Sequence, residues 1–105
     1  MLNVDDGGPP VLSEDSVVLM TRNHIGHLTT AFGFKYGLSV GIATHDARGG
    51  SPLPVGGFGW YGIYSTWFWT LPRQRAAVLL FSNVLTPGMN LPLFAKVVEA
   101  IDAIL

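Results

Sequence analysis

Two patterns of apolar and polar positions are present in the chain, one typical of strands and one typical of helices. Large apolar side chains alternate with small residues between positions 36 and 43, which predicts a strand with one flat face. Between positions 91 and 105 apolar residues recur at intervals of three and four, with charged residues between them. This spacing predicts an amphipathic helix at the C-terminal end.

An N-terminal helix is predicted from its first residues. Ser13 is a typical N-cap, and Glu14 and Asp15 follow it, where their charges complement the helix dipole. The apolar residues 17–20 continue the segment. The pattern therefore predicts a helix over about 14–23.

Three further strands are predicted in the second half of the chain. They span residues 58–62, 64–71 and 76–81, and residues 72–75 form a hairpin turn between the last two. Neither face of segment 64–71 is polar, which predicts a central strand buried on both sides. Residues 44–57 are predicted to form a loop, and loops of this length are often functional.

These elements predict an α+β fold. Closely spaced strands with short turns favour an antiparallel sheet, and the terminal helices then cover a face of it. We expect a sheet of about four strands flanked by an N-terminal and a C-terminal helix, with residues 1–105 forming one domain or part of one.

Charged residues are scarce, and this changes the picture. Lys and Arg number 6 and Asp and Glu number 7, so that 12% of the 105 residues are charged, where about 25% is typical. The net charge of −1 gives no reason to expect nucleic-acid binding. No apolar run is long enough to predict a membrane span. The absence of Cys excludes disulfides and thiolate chemistry within the sequence.

Two histidine-containing segments are candidate chemical sites. His24 and His27 lie three residues apart, but no carboxylate or Cys accompanies them, so solvated or backbone-capping histidines are the favoured interpretation. His45 and Asp46 lie in the long loop, where turn residues are favoured over an acid–base pair. We therefore expect no metal site and no cofactor.

An aromatic cluster leaves two interpretations open. It is formed by Trp60, Tyr61, Tyr64, Trp67, Phe68 and Trp69. Such a cluster lines a ligand pocket or fills a core, and on the residue types alone the core is favoured. Gly56, Gly57, Gly59 and Gly62 lie on the same segment, and glycines there favour close approach of another group to the backbone.

Several segments, taken in order, resemble the serine β-lactamase-like proteins, in particular the branch of class C β-lactamases, penicillin-binding proteins and esterases. Residues 12–24 (LSEDSVVLMTRNH) resemble the "L-S-P-E-S-V-x-L-M-T-x-N-x" helix of that group. Residues 36–42 (YGLSVGI) resemble its "Y-G-L-G-F-x-V" strand, and residues 57–69 (GFGWYGIYSTWFW) resemble "G-x-F-G-W-G-G-x-x-G-T-Y-F-W". The match covers nearly all of this chain but only the C-terminal third or so of a complete member.

The resemblance implies a set of substrate-binding residues. The family's third motif falls on Trp60-Tyr61-Gly62, at the edge of the active site, where the glycine permits close approach of the substrate. The backbone N–H of Ile63 would then help to form an oxyanion hole.

The family's nucleophile is missing from this sequence. None of the serines is followed three residues later by Lys, so the Ser-x-x-Lys motif is absent, and so is Tyr-x-Asn or Tyr-x-Ser. The resemblance therefore implies no catalytic residue here and a C-terminal segment of a serine hydrolase that is inactive alone. The alternative is a stand-alone binding or interaction module that uses the aromatic, glycine-rich edge.

The charge deficit predicts a partner. Residues 49–72 and 76–95 hold no charged side chain, and they contain three of the four predicted strands. We expect this sheet to be covered by the N-terminal portion of the hydrolase domain or, in an isolated chain, by self-association into a homo-oligomer.

Overall fold

The computed structural model describes residues 9–44, 53–85 and 87–105. Its elements are α1 (Glu14–Met20), β1 (Lys35–Tyr36), β2 (Gly41–Ile42), β3 (Phe58–Tyr61), β4 (Trp67–Leu71), β5 (Ala76–Leu80), a 3-10 turn (Pro87–Asn90) and α2 (Leu91–Ile104). The predicted α+β class, with an antiparallel sheet and two terminal helices, is confirmed. The described ranges contain five strands, where about four were predicted.

Helix α1 begins as its sequence predicts and ends early. The Ser13 hydroxyl accepts a hydrogen bond from the backbone N–H of Ser16 at 3.1 Å, which caps the first turn. At the other end, the backbone N–H and the hydroxyl of Thr21 both donate to the carbonyl oxygen of Val17. The helix therefore ends at Met20 rather than near residue 23.

The five strands form an antiparallel meander in which each strand pairs with the next one along the chain. The central register aligns Gly59 of β3 with Trp69 of β4, and Trp69 with Val78 of β5. The predicted hairpin turn at 72–75 is confirmed, because the N–H of Arg75 donates to the carbonyl oxygen of Pro72 at 3.1 Å.

The predicted strand over 36–43 is wrong, because this segment is a hairpin. The N–H of Gly37 donates to the carbonyl oxygen of Val40 at 2.8 Å, and Ser39 has a φ of 75°. The alternation of large and small residues continues through the turn, and it therefore imitates a strand. A side chain at position 37 would overlap the carbonyl oxygen of Met20, so the glycine lets α1 dock here.

The predicted strand over 64–71 begins too early. The N–H of Gly62 donates to the carbonyl oxygen of Thr66, and the N–H of Ser65 donates to that of Gly62, which makes residues 62–65 a turn. The expectation that this strand is buried on both sides is also wrong, because the Phe68 side chain is 43% exposed. Thr70 on the same face of the strand is buried.

The larger of two core clusters lies on one face of the sheet, which we call the inner face. Helix α2 packs Phe94 and Val98 against this face, and the rings of Phe94 and Trp67 stack with their centroids 4.8 Å apart. Trp69, the largest fully buried side chain in the described residues, lies in the same core. The predicted C-terminal helix is thus confirmed.

The opposite face, which we call the outer face, is covered in part: Val40, Ile42 and Phe58 form a smaller buried cluster there, whereas the face is open toward β5. Trp60, Phe68 and Leu79 are aligned across three strands and therefore share this face. Met20 of α1 and Val40 border it at one end, yet Leu79 remains 60% exposed. In the described part of the chain, neither helix is long and apolar enough to cross a membrane.

Candidate functional site

The four predicted substrate-binding residues lie together at one end of β3. Trp60 and Tyr61 are the last two residues of the strand, and Gly62 and Ile63 begin the turn that follows. Strand β2 pairs only with residues 58 and 59. The β3 backbone at Trp60 and Tyr61 therefore extends past its neighbour on that side.

A groove of about 340 Å³ runs beside this strand end. It is lined by Trp60, Tyr61, Gly62, Thr66, Trp67, Phe68, Leu79, Leu80 and Phe81. Its walls are aromatic and aliphatic, and the polar side-chain groups of its lining residues are the Thr66 hydroxyl, the Tyr61 phenol and the indole N–H groups of Trp60 and Trp67. The Trp67 N–H donates to the carbonyl oxygen of Met89. Such a groove suits an apolar group that carries one or two hydrogen-bonding atoms.

Ring contacts hold the aromatic wall of the groove in place. Trp60 stacks on Tyr61 with a centroid distance of 4.4 Å, and Tyr36 meets the Trp60 ring edge-on at 5.0 Å. Tyr61 also contacts Phe32 at 5.1 Å and Trp67 at 4.8 Å. Because each ring is in contact with its neighbours, the wall is preorganised rather than formed on binding.

Tyr61 is the one ionisable side chain among the residues that line the groove. Its removal from water raises the pKa of the phenol above the usual value, and the nearby Tyr36 raises it further. The phenol is therefore neutral at physiological pH, where it serves as a hydrogen-bond donor or acceptor but not as a base.

The turn after β3 leaves the N–H groups of Ile63 and Tyr64 without a hydrogen bond in the described ranges. The N–H of Gly62 is engaged with the Thr66 carbonyl oxygen at 2.8 Å. The N–H of Ile63 makes no hydrogen bond to any residue in the described ranges, and this residue is exposed. An accessible N–H at position 63 is what the family resemblance requires of an oxyanion donor.

The aromatic cluster divides between core and surface. Trp67 and Trp69 are buried in the core, in agreement with the favoured interpretation for these two residues. Trp60 and Tyr61 are half-buried at the groove, while Tyr64 and Phe68 are exposed. The sequence pattern did not separate these groups, because their alternation is interrupted by the turn at 62–65.

Two of the four glycines expected to permit close approach of a ligand, Gly57 and Gly59, instead permit close packing within the protein. A Cβ atom at Gly59 would overlap the carbonyl oxygen of Phe68, and one at Gly57 would overlap the indole nitrogen of Trp69. At Gly62 the added atom would meet only the Thr66 hydroxyl, at 2.7 Å. Gly62 is therefore the glycine that faces the groove.

The histidines take no part in this site. The Nε2 atom of His24 lies 2.6 Å from the carbonyl oxygen of Leu19, close to the end of α1, as expected of a backbone-capping histidine. No group of three or more potential metal ligands occurs within the described ranges. His45 and Asp46 lie outside the described residues.

Four groove residues were not identified from the sequence: Thr66, Leu79, Leu80 and Phe81. Leu79 and Phe81 belong to a segment that is apolar throughout, so its pattern gave no sign of which face each side chain occupies. Thr66 follows the turn at 62–65, which the sequence did not predict. Strand pairing across β4 and β5 is the information that places these residues beside Trp60.

No protein-family model matches the sequence, and a search of the curated proteins finds no match either. The resemblance to β-lactamase-like proteins therefore depends on the motifs and their order alone.

Proposed function

We propose that this chain is the C-terminal segment of a β-lactamase-like serine hydrolase domain. In this proposal, β3 and the following turn form one wall of a site for a β-lactam or another ester or amide substrate. The nucleophile and its Lys come from another part of the protein, because the Ser-x-x-Lys motif is absent from this sequence.

The observation that carries the proposal is the position of the third-motif residues. Trp60 and Tyr61 end strand β3, past the residues that pair with β2, and Gly62 follows them; all three line the groove. The unengaged N–H of Ile63 follows them. A substrate carbonyl oxygen beside that N–H would gain a donor worth about 2.7–4 kcal/mol in the transition state, if it behaves as typical oxyanion donors do.

A matched pair of substitutions tests the proposed donor. Ile63→Pro removes the N–H, and proline is favoured at the second position of a β-turn, which Ile63 occupies in the turn 62–65. Ile63→Ala retains the N–H and removes most of the side chain. In the complete hydrolase we expect Ile63→Pro to lower kcat by about 10²–10³ with little change in KM. Ile63→Ala should stay within a few-fold of the wild type. Equal losses in both variants would contradict the assigned role.

The chain alone is expected to be inactive. Purified chain is mixed with a chromogenic cephalosporin and with a p-nitrophenyl ester, and we expect no turnover above the buffer rate. Robust turnover that is lost when one of the serines is replaced by Ala would overturn the assignment. Sequencing of the coding DNA upstream supplies the complementary test, because in-frame Ser-x-x-Lys and Tyr-x-Asn motifs are expected there.

The second candidate function is a stand-alone binding module. The groove favours it, because aromatic and aliphatic walls with few polar groups suit an apolar ligand without any chemistry. Binding without hydrolysis, detected as a change in tryptophan fluorescence that Trp60→Phe abolishes, would favour the module. An intact upstream hydrolase reading frame would argue against it.

A further inference from the structure

Strand β5 presents an open edge. It pairs with β4 along residues 76–80, and β4 lies on only one side of it. On the other side, no residue in the described ranges hydrogen-bonds to the β5 backbone. Ala77, Leu79 and Phe81 are exposed, the last of them to 81%. A row of backbone donors and acceptors is thus available for another strand.

The opposite edge of the sheet is protected, which makes β5 the exception. Strand β1 has only two residues, and the N–H of His24 donates to the carbonyl oxygen of Tyr36 at 2.9 Å. Lys35 on the same strand donates to the carbonyl oxygens of Gly26 and Leu28, which holds the covering loop against it. These contacts leave little of the β1 edge for another chain.

The usual protection of an edge strand is absent from β5. Proteins discourage edge pairing with charged residues, prolines or bulges. Residues 76–95 hold no charge, and no proline occurs between positions 76 and 86. Because the strand is apolar on its exposed face as well, its surroundings favour pairing over solvation.

We propose that β5 pairs antiparallel with β5 of a second copy of this chain, about a two-fold axis at Leu79, to form a ten-stranded sheet. In this register Ala77 lies opposite Phe81, so the largest side chain faces the smallest. Arg75 lies opposite Asn83, so no like charges meet. An isologous contact of this kind closes as a dimer and leaves no free β5 edge.

The side chains along the proposed pairing are apolar and exposed. Leu79 is 60% exposed and Phe81 is 81% exposed. Directly opposed residues of antiparallel strands share a face of the sheet, so Leu79 would contact Leu79 of the second copy, and Phe81 would contact its Ala77. The pairing is proposed for this chain by itself, so its failure would leave the proposed function untouched.

Cysteine cross-linking tests the register. The sequence contains no Cys, so Leu79→Cys introduces a single thiol at the proposed two-fold axis. Directly opposed residues of antiparallel strands are close enough for a disulfide. We expect Leu79→Cys to form a covalent dimer under mild oxidation, whereas Ile104→Cys, at a more exposed position near the end of α2, stays monomeric. Equal cross-linking of both variants would overturn the proposal.

Charge insertion tests the interface without a covalent bond. We expect wild-type chain to elute with twice the 11.3 kDa mass of one chain, and Leu79→Lys to elute at the single-chain mass. Ile104→Lys, the matched control, should keep the doubled mass. Circular dichroism verifies that Leu79→Lys remains folded, as expected for a residue that is largely exposed. A wild-type monomer, or a dimer that Leu79→Lys leaves intact, would overturn the proposal.

Discussion

Replacement of Gly59 by Ala tests the packing that positions the groove. Gly59 lies in β3 between Gly41 of β2 and Trp69 of β4. An added Cβ atom would overlap the carbonyl oxygen of Phe68 and would lie 2.8 Å from a ring carbon of Trp69. One obstacle is strand backbone and the other is a fully buried indole, so neither can move without separating β3 from β4.

The magnitude follows from this geometry. Overpacking of a core costs about 1–3 kcal/mol when side chains can adjust. Because backbone must move here, we expect Gly59→Ala to lower the free energy of unfolding by about 3 kcal/mol, at the top of that range. For a domain of this size the Tm would fall by about 12–24 °C.

The assay is thermal and urea unfolding followed by circular dichroism, with every variant at the same protein concentration. Gly62→Ala is the matched control, since its added methyl group meets only the Thr66 hydroxyl, which can rotate away. We expect the control to change the free energy of unfolding by less than about 1 kcal/mol. Equal stabilities of the two variants would refute the reasoning.

Three further outcomes are expected, each of them measurable on the isolated chain. Ser65 has a φ of 66°, and its hydroxyl donates a hydrogen bond to the carbonyl oxygen of Val84 at 2.8 Å. Ser65→Ala and Ser65→Gly both lose this bond, but glycine avoids the backbone strain of a positive φ. Urea unfolding should therefore show the Gly variant to be more stable than the Ala variant by about 1 kcal/mol. The raised pKa of Tyr61 means that the folded state retains the phenol proton more strongly than the unfolded state does. The resulting stability is present below the ordinary tyrosine pKa and is lost as the pH rises through the pKa of Tyr61 in the folded state. The wild-type chain should therefore lose more stability than Tyr61→Phe under alkaline conditions. Ser13→Ala removes the N-cap bond to Ser16 and should cost about 1 kcal/mol by thermal unfolding, whereas Ser13→Asp, which keeps a capping oxygen, should not.

The elements with strong local signals could be predicted from the sequence. Ser13 and the two acidic residues after it marked the start of α1, and this start is confirmed. The periodicity of residues 91–105 predicted α2, and the turn at 72–75 was found between two apolar runs. In each of these cases the local chemistry and the tertiary structure favour the same conformation.

The two errors in the strands have a common physical cause. Ser39 and Ser65 both adopt positive φ values inside segments that were predicted as continuous strands. Glycine or asparagine would have indicated a turn at such positions, whereas serine gives little signal. Ser65 is held in this conformation with the help of its hydrogen bond to Val84, 19 residues away. A contact of that kind is not visible in local sequence.

The candidate site was predictable only in part. The residues from Trp60 to Ile63 were selected through a resemblance in motif, and the structure brings them together beside a groove. The other wall of the groove, with Leu79 and Phe81, comes from the strand pairing of β4 with β5. The apolar run 76–81 carries no periodicity that distinguishes an exposed face from a buried one.

Amide hydrogen exchange in β5 tests the central claim, that this apolar sheet is completed by another chain. In a dimer joined at β5, amides on the outer edge of residues 77–81 exchange slowly at high protein concentration and faster on dilution, while amides of β4 remain protected throughout. This is the result that we predict. Fast exchange of the outer-edge amides at every concentration, from a chain of single-chain mass, would contradict the claim.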